Sequence, residues 1–332
     1  MIKKFQCFFL LVFIASVISA NDRPIVLSSA SMFSDMAKNI GGELIEVQTI
    51  VPIGADPHLH EPTPKDVIKV SKADLILLNA LTFEGWIGEL IMNSGTKAVI
   101  DTITKGINPI RSEKYSNSAD PHAWMEVGNG RKYAQNILNA LIQVDPENKA
   151  QYSSNYQVYD KALIELDEFI KTEIQKIPEE HRILVTSHDA FAYYGKKYGL
   201  RLEAIQGIST EAEAQTSDLM RVTNIIRESN IPVIFIESTI NPKLLKQIAK
   251  DNDIGIGGEL YADSLGDEKS PASTYIDMMK NNTQVIVLGL TGNSHFTSEK
   301  MEETSGKSNL IVYGLIGILL IGGLLLLMKK LS

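Results

Sequence analysis

Short apolar runs alternate with longer mixed segments through the first third of the chain. "PIVLSSASMFSDMAKNIGG" predicts a strand at about 24–29 and then a helix ending near Gly41. "IEVQTIVPI" reads as a second strand, and "PTPKDVIKVSKAD" opens a helix with Pro64 near its start. "DLILLNA" (74–80) and "KAVID" (97–101) are two further short apolar strands. Strands of this kind, separated by helices, predict a parallel sheet covered on both faces.

The pattern changes from 127 to 180. "VGNGRKYAQNILNALIQV" is helical, and Pro146 opens a second helical stretch. Apolar residues then recur at Tyr156, Tyr159, Leu163, Leu166, Ile170, Ile174 and Ile177, a helical period held for about 30 residues. A helix of about 45 Å exceeds one small lobe and suits a spine joining two. Strand signals resume at "RILVTSH" (182–188), "IPVIFIES" (231–238) and, more weakly, "DIGIGG" (253–258). A last helix is expected from about Pro271; periodicity leaves "VIVLGL" (285–290) open between helix and strand. The expected fold is therefore α/β, with two lobes joined by a long rigid helix.

Both ends carry targeting patterns. Residues 1–20 have Lys3 and Lys4, an apolar run and a small residue, Ala20, at the close, which is the pattern of a secretory signal. Residues 310–328 carry no charge; at 1.5 Å per residue they give about 28 Å, enough for a bilayer core. Lys329 and Lys330 follow, on the side expected to be cytoplasmic. The expected organisation is a signal (1–20), an N-terminal lobe (21–127), central helices with the joining helix (128–180), a C-terminal lobe (181–291), a polar stalk (292–308), a transmembrane helix (309–328) and a cytoplasmic tail (329–332). The bulk then lies in the periplasm or on the extracellular face, anchored by its tail.

Charge and cysteine content narrow the function. Without the four lysines of the two ends, the outer part has 28 basic against 40 acidic residues, a net of −12. That argues against a nucleic-acid partner. Cys7, the only cysteine, lies inside the signal, so the mature chain has no disulfide and no thiolate metal ligand.

Binding residues of open α/β sheets gather in loops after strand ends. Four positions suit that placement: His58 after the second strand, His122 before the central helices, His188 at the end of "RILVTSH", and Asp263 just past "DIGIGG". Neutral imidazoles and a carboxylate offer lone pairs to a divalent ion. The tripeptide Asp-Pro-His occurs twice, ending at His58 and at His122, in a chain with six histidines. The preceding proline restricts the backbone that aims each ring.

The chain resembles the solute-binding proteins of bacterial manganese/zinc/iron ABC transporters, the cluster A-I metal-binding lipoprotein-like family. "GADPHLHEPTPKD", "ADPHAWM", "LVTSHDAFAYYGKKYGL" and "LYADSLG" match its four ligand regions, which implies His58, His122, His188 and Asp263 as metal ligands. "QGISTEAEAQTSD" (206–218) and "VIFIEST" (233–239) match further segments of the second lobe. The resemblance covers about residues 24–290. It implies metal held between two α/β lobes, capture rather than catalysis, a monomeric outer domain and a permease partner in the membrane.

This chain departs from the family in lacking a lipid-bearing cysteine. The region before the second histidine, "INPIRSEKYSNSAD", also has no histidine. That region and the 206–218 segment point to manganese, with zinc as the alternative and iron admissible. Two other classes compete: a metal-dependent hydrolase, with Glu61 or Asp189 as base, and a surface adhesin. His60 is set aside as a ligand because its side chain and that of His58 point oppositely in an extended segment. His181 is expected in solvent and His295 in the stalk. Asp56, Asp120 and Glu237 are candidates to hold an imidazole N–H, with local backbone capping an equal reading for the two aspartates. Protonation of the histidines is expected to weaken binding below about pH 6.

Overall fold

The computed structural model describes residues 23–111, 118–229 and 231–292. The first lobe contains β1 (Ile25–Ser28), α1 (Ser31–Gly41), β2 (Glu46–Thr49), α2 (Pro64–Lys72), β3 (Leu75–Leu78), α3 (Ile87–Ser94) and β4 (Val99–Thr102). Its strands form one parallel sheet in the order β2-β1-β3-β4. Successive side chains enter opposite layers: Val26, Leu75 and Leu77 pack inward, while Leu27 and Ile76 pack under α2 and α3. Burial on both faces is why these strands read as unbroken apolar runs.

Next come α4 (Val127–Val144) and α5 (Lys149–Ile174). The second lobe follows with β5 (Ile183–Thr186), α6 (Ala192–Tyr198), β6 (Arg201–Ala204), α7 (Thr216–Ser229), β7 (Val233–Glu237), α8 (Lys243–Asp251), β8 (Gly255–Leu260) and α9 (Tyr275–Leu290). Here β5 pairs with β6 and β7 with β8, both parallel, and β5 lies alongside β7. β6 was not visible in the apolar pattern, because "RLEA" alternates charged with apolar residues over only four positions and is only partly buried.

The joining helix is α5, 26 residues or about 39 Å long. Tyr159, Leu163, Leu166, Ile170 and Ile174 form its buried stripe, and Tyr156 is half-buried beside it. The helix packs on α4 beside it, on α1 of the first lobe and on α6 and α9 of the second. Arg131 of α4 grips Asp160 of α5 through two hydrogen bonds, at 2.6 and 2.9 Å. One apolar core runs from Val26 through this helix to Leu290, so the lobes share their packing rather than meeting across a soft linker. "VIVLGL" is helical as the end of α9: Ile286, Val287 and Leu290 are buried where that helix packs on β8 and α5. α9 begins later than the sequence suggested, at the cap Thr274, whose hydroxyl accepts from the Asp277 N–H.

The expected transmembrane helix is corrected. Among the described residues no helix is long and apolar enough to cross a membrane. The longest, α5, exposes Lys161, Glu165 and Glu168, whose charges forbid a lipid-facing surface. Residues 309–328, where the span was expected, lie outside the described residues, as do the signal and most of the stalk with His295. The fold class that the described residues show is two α/β lobes with parallel sheets and a joining helix, and none of these residues supplies the expected C-terminal anchor.

Candidate metal centre

The strands of each lobe end together, and the loops beyond their C-terminal ends face one another across a cleft. From the first lobe, the loop after β2 brings His58 and the segment after β4 brings His122. From the second, the loop after β5 brings His188 and the segment after β8 brings Asp263. All four are buried, and one ligand atom from each lies within 4.8 Å of the other three.

His58 Nε2 is 3.3 Å from His122 Nε2 and 3.9 Å from Asp263 Oδ2. Asp263 Oδ1 is 3.3 Å from His122 Nε2, and Oδ2 is 3.1 Å from His188 Nε2. Apart from these imidazoles, both Asp263 oxygens are buried without a hydrogen-bond partner. Polar atoms left this way are costly unless something satisfies them. A divalent cation in their midst does so, and the N3O donor set suits one.

The electrostatics divide the cluster. Burial pulls the His58 imidazole down to about 3, so it stays neutral and ready to coordinate. Burial also opposes charge on His122, but Asp120 and Asp263 outweigh it and push the ring up to about 9. At His188 burial is likewise overcome, by Glu237 and Asp263, and the ring is held well above its ordinary value. Burial would raise Asp263, yet His188 and His122 hold its carboxyl well below the usual range.

The supporting residues explain the ring orientations. Asp120 Oδ1 accepts the His122 backbone N–H at 2.9 Å and lies 2.8 Å from Nδ1, leaving Nε2 for the cluster. Glu237, on β7, places Oε2 2.7 Å from His188 Nδ1 and accepts the His188 N–H at 2.9 Å. Asp56 accepts the His58 N–H at 2.8 Å but makes no bond to its ring. It is the backbone cap of the two roles considered for it. His60 turns away, onto the edge of Trp86 (centroids 4.6 Å) and to within 3.5 Å of Asp66. His181 is half-buried, its Nδ1 3.2 Å from the Leu290 carbonyl, rather than in solvent.

Several supporting residues left little mark in the sequence. Phe83 stands edge-on to His58 at 5.2 Å, and Trp124 to His122 at 5.3 Å, forming an apolar wall. Trp124 also donates to the Ala262 carbonyl, tying the His122 segment to the Asp263 segment. Phe83 is delivered by three successive left-handed residues, Ala80, Leu81 and Thr82 (φ 60°, 53° and 71°). Such conformations cost on the order of 1 kcal/mol or more each. Glu84 holds the turn by accepting the N–H groups of Asn79 and Ala80 and the Ser29 hydroxyl. Burial pushes this carboxyl up to about 7. No local motif announces a left-handed turn without glycine.

Two lobes closing on a buried His₃Asp cluster define a binding protein for a small cation. The family described as zinc-uptake complex component A, periplasmic, matches residues 26–289. The manganese-binding lipoprotein MntA of Halalkalibacterium halodurans is 37% identical over 266 residues, covering 80% of this chain and 88% of that relative. The iron-binding protein YfeA of Yersinia pestis is 38% identical over 266 residues, covering 80% and 85%. Among solved structures, the periplasmic zinc-binding protein TroA of Treponema pallidum superposes with a TM-score of 0.77 at 31% identity, over 81% of this chain and 99% of that one. The chain therefore belongs to the ZnuA/TroA-like, cluster A-I family of metal-binding solute-binding proteins of bacterial ABC transporters. It captures a divalent metal ion outside the cytoplasm for an ABC transporter, whose permease is its partner by family membership, and it is not an enzyme. The adhesive role finds no support among the described residues or in the descriptions of these relatives.

Proposed function

We propose that the ion is manganese and that His58, His122, His188 and Asp263 hold it for delivery to the permease. The observation that carries this reading is the Asp263 carboxylate, whose two oxygens both face imidazole nitrogens and have no other partner. A carboxylate presented this way can chelate, giving three nitrogens and two oxygens. More than four ligands and a share of hard oxygen suit manganese, whereas zinc prefers a tetrahedral set. The manganese-binding relative supports the same choice, and the region before His122, without histidines, agrees with it. Three imidazoles favour zinc on raw affinity, so selectivity rests on geometry.

The test is competition binding. The protein is stripped of metal, and manganese and zinc affinities are measured for wild type and His122→Ala. Manganese binding that is lost in the variant is the expected result. Manganese affinity unchanged in the variant overturns the ligand assignment. Tight zinc binding with no measurable manganese binding overturns the choice of ion but leaves the site.

A further inference from the structure

Among the described residues, two hydrogen bonds that involve no ligand side chain tie the His58 loop to the opposite lobe. The Gly54 N–H donates to Ser264 Oγ at 2.8 Å, next to Asp263. The Thr210 hydroxyl donates to Asp56 Oδ2 at 2.6 Å. Asp56 thus divides its carboxylate: Oδ1 holds the His58 backbone N–H within the loop, and Oδ2 reaches across the cleft. Thr210 is itself nearly buried and sits in the loop between β6 and α7, which carries no candidate ligand. It lies within "QGISTEAEAQTSD", a segment that bore on the choice of metal in the sequence but gave Thr210 itself no role.

We propose that Thr210 is a positioning residue whose hydroxyl latches the His58 loop to the second lobe and so slows release of the bound ion. Ligands come from both lobes, so the ion leaves only when His58 and His122 part from His188 and Asp263. The Thr210–Asp56 bond bridges the same gap and must break in that opening. It therefore stabilises the closed arrangement and not the open one, which biases the equilibrium between them. A hydrogen bond to a carboxylate, lost selectively from the closed form, corresponds to about tenfold in release rate. This inference rests on the four-residue cluster being the metal site.

The test is release of manganese from the full protein into excess chelator, followed by stopped flow. Thr210→Val, close in shape but without the hydroxyl, and Thr210→Ala are expected to release about tenfold faster. Thr210→Ser, which keeps the hydroxyl, is expected to release at the wild-type rate. A wild-type rate in Thr210→Val overturns the latch, as does fast release in Thr210→Ala alone, which would make the effect one of packing. Fast release in Thr210→Ser overturns it too. His122→Ala in the same series separates the two readings. If it retains manganese, the site assignment falls; if it loses manganese while Thr210→Val is unchanged, only the latch falls.

Discussion

The two Asp-Pro-His loops begin alike and end differently. In both, the aspartate accepts the N–H of the histidine two residues on, at 2.8 Å for Asp56 and 2.9 Å for Asp120. There the likeness stops. Asp120 also faces the His122 ring nitrogen at 2.8 Å, while Asp56 turns its second oxygen away to Thr210. With Asp120 and Asp263 both close to its ring, His122 is pushed up to about 9; with only the more distant Asp263 beside it, His58 is pulled by burial down to about 3. A local turn motif thus sets the backbone, and the partner of the imidazole depends on what the fold brings beside it.

The largest effect expected is loss of either ring. His58→Ala and His122→Ala should each weaken manganese binding by more than about 100-fold, since even supporting residues of metal sites are worth 10–100-fold. Near-equal losses would show that the loops converge on one ion despite their different surroundings. Asp120→Asn should cost about 10–100-fold when measured at pH 9, because it removes the carboxylate that orients the ring. Asp56→Asn should cost only about fivefold, the weight of one weakened hydrogen bond of about 1 kcal/mol. Equal losses in these two variants would break the comparison.

The pH dependence sharpens it further. Metal binds the deprotonated ring, and His122 without metal holds its proton up to about pH 9. Affinity should therefore rise with pH through the neutral range and on towards 9, by about tenfold per unit for each proton displaced. The sequence led to an expected loss below about pH 6; Asp120 and Asp263 extend the competition to higher pH. His58, already neutral, should contribute nothing in this window. Isothermal titration in buffers of differing ionisation enthalpy counts the protons released, and none released at pH 7 would contradict the assignment. The smallest effect belongs to His60→Ala, which should leave affinity unchanged, since that ring packs on Trp86.

Legibility followed the range of the interaction. The strands of the first lobe and the joining helix were readable because their burial repeats at the period of the element, as at Leu163, Leu166 and Ile170. β6 was not, because a partly exposed strand carries too few apolar residues to stand out. The four cluster residues were placed by strand ends and by family resemblance together. Phe83 and Glu84 had no comparable signal, and Trp124 and Thr210 lay inside family-matching segments that gave them no role. Phe83 depends on a left-handed turn held by a carboxylate that also reaches back to Ser29, a contact spanning 55 residues. Thr210 meets Asp56 across 154 residues.

By itself the sequence determined an alternating α/β chain with a helical spine, three histidines and an aspartate at strand ends, and the Asp-Pro-His turns. Each is encoded within a few residues, by periodicity, by proline's fixed φ, or by a side chain that bonds its near neighbour. Only the tertiary structure decided that the four groups meet, that His58 and His122 differ in charge behaviour, and that Thr210 closes across the cleft. Those outcomes depend on burial and on partners from distant segments, and desolvation and charge pairing exist only once both lobes have packed on the joining helix.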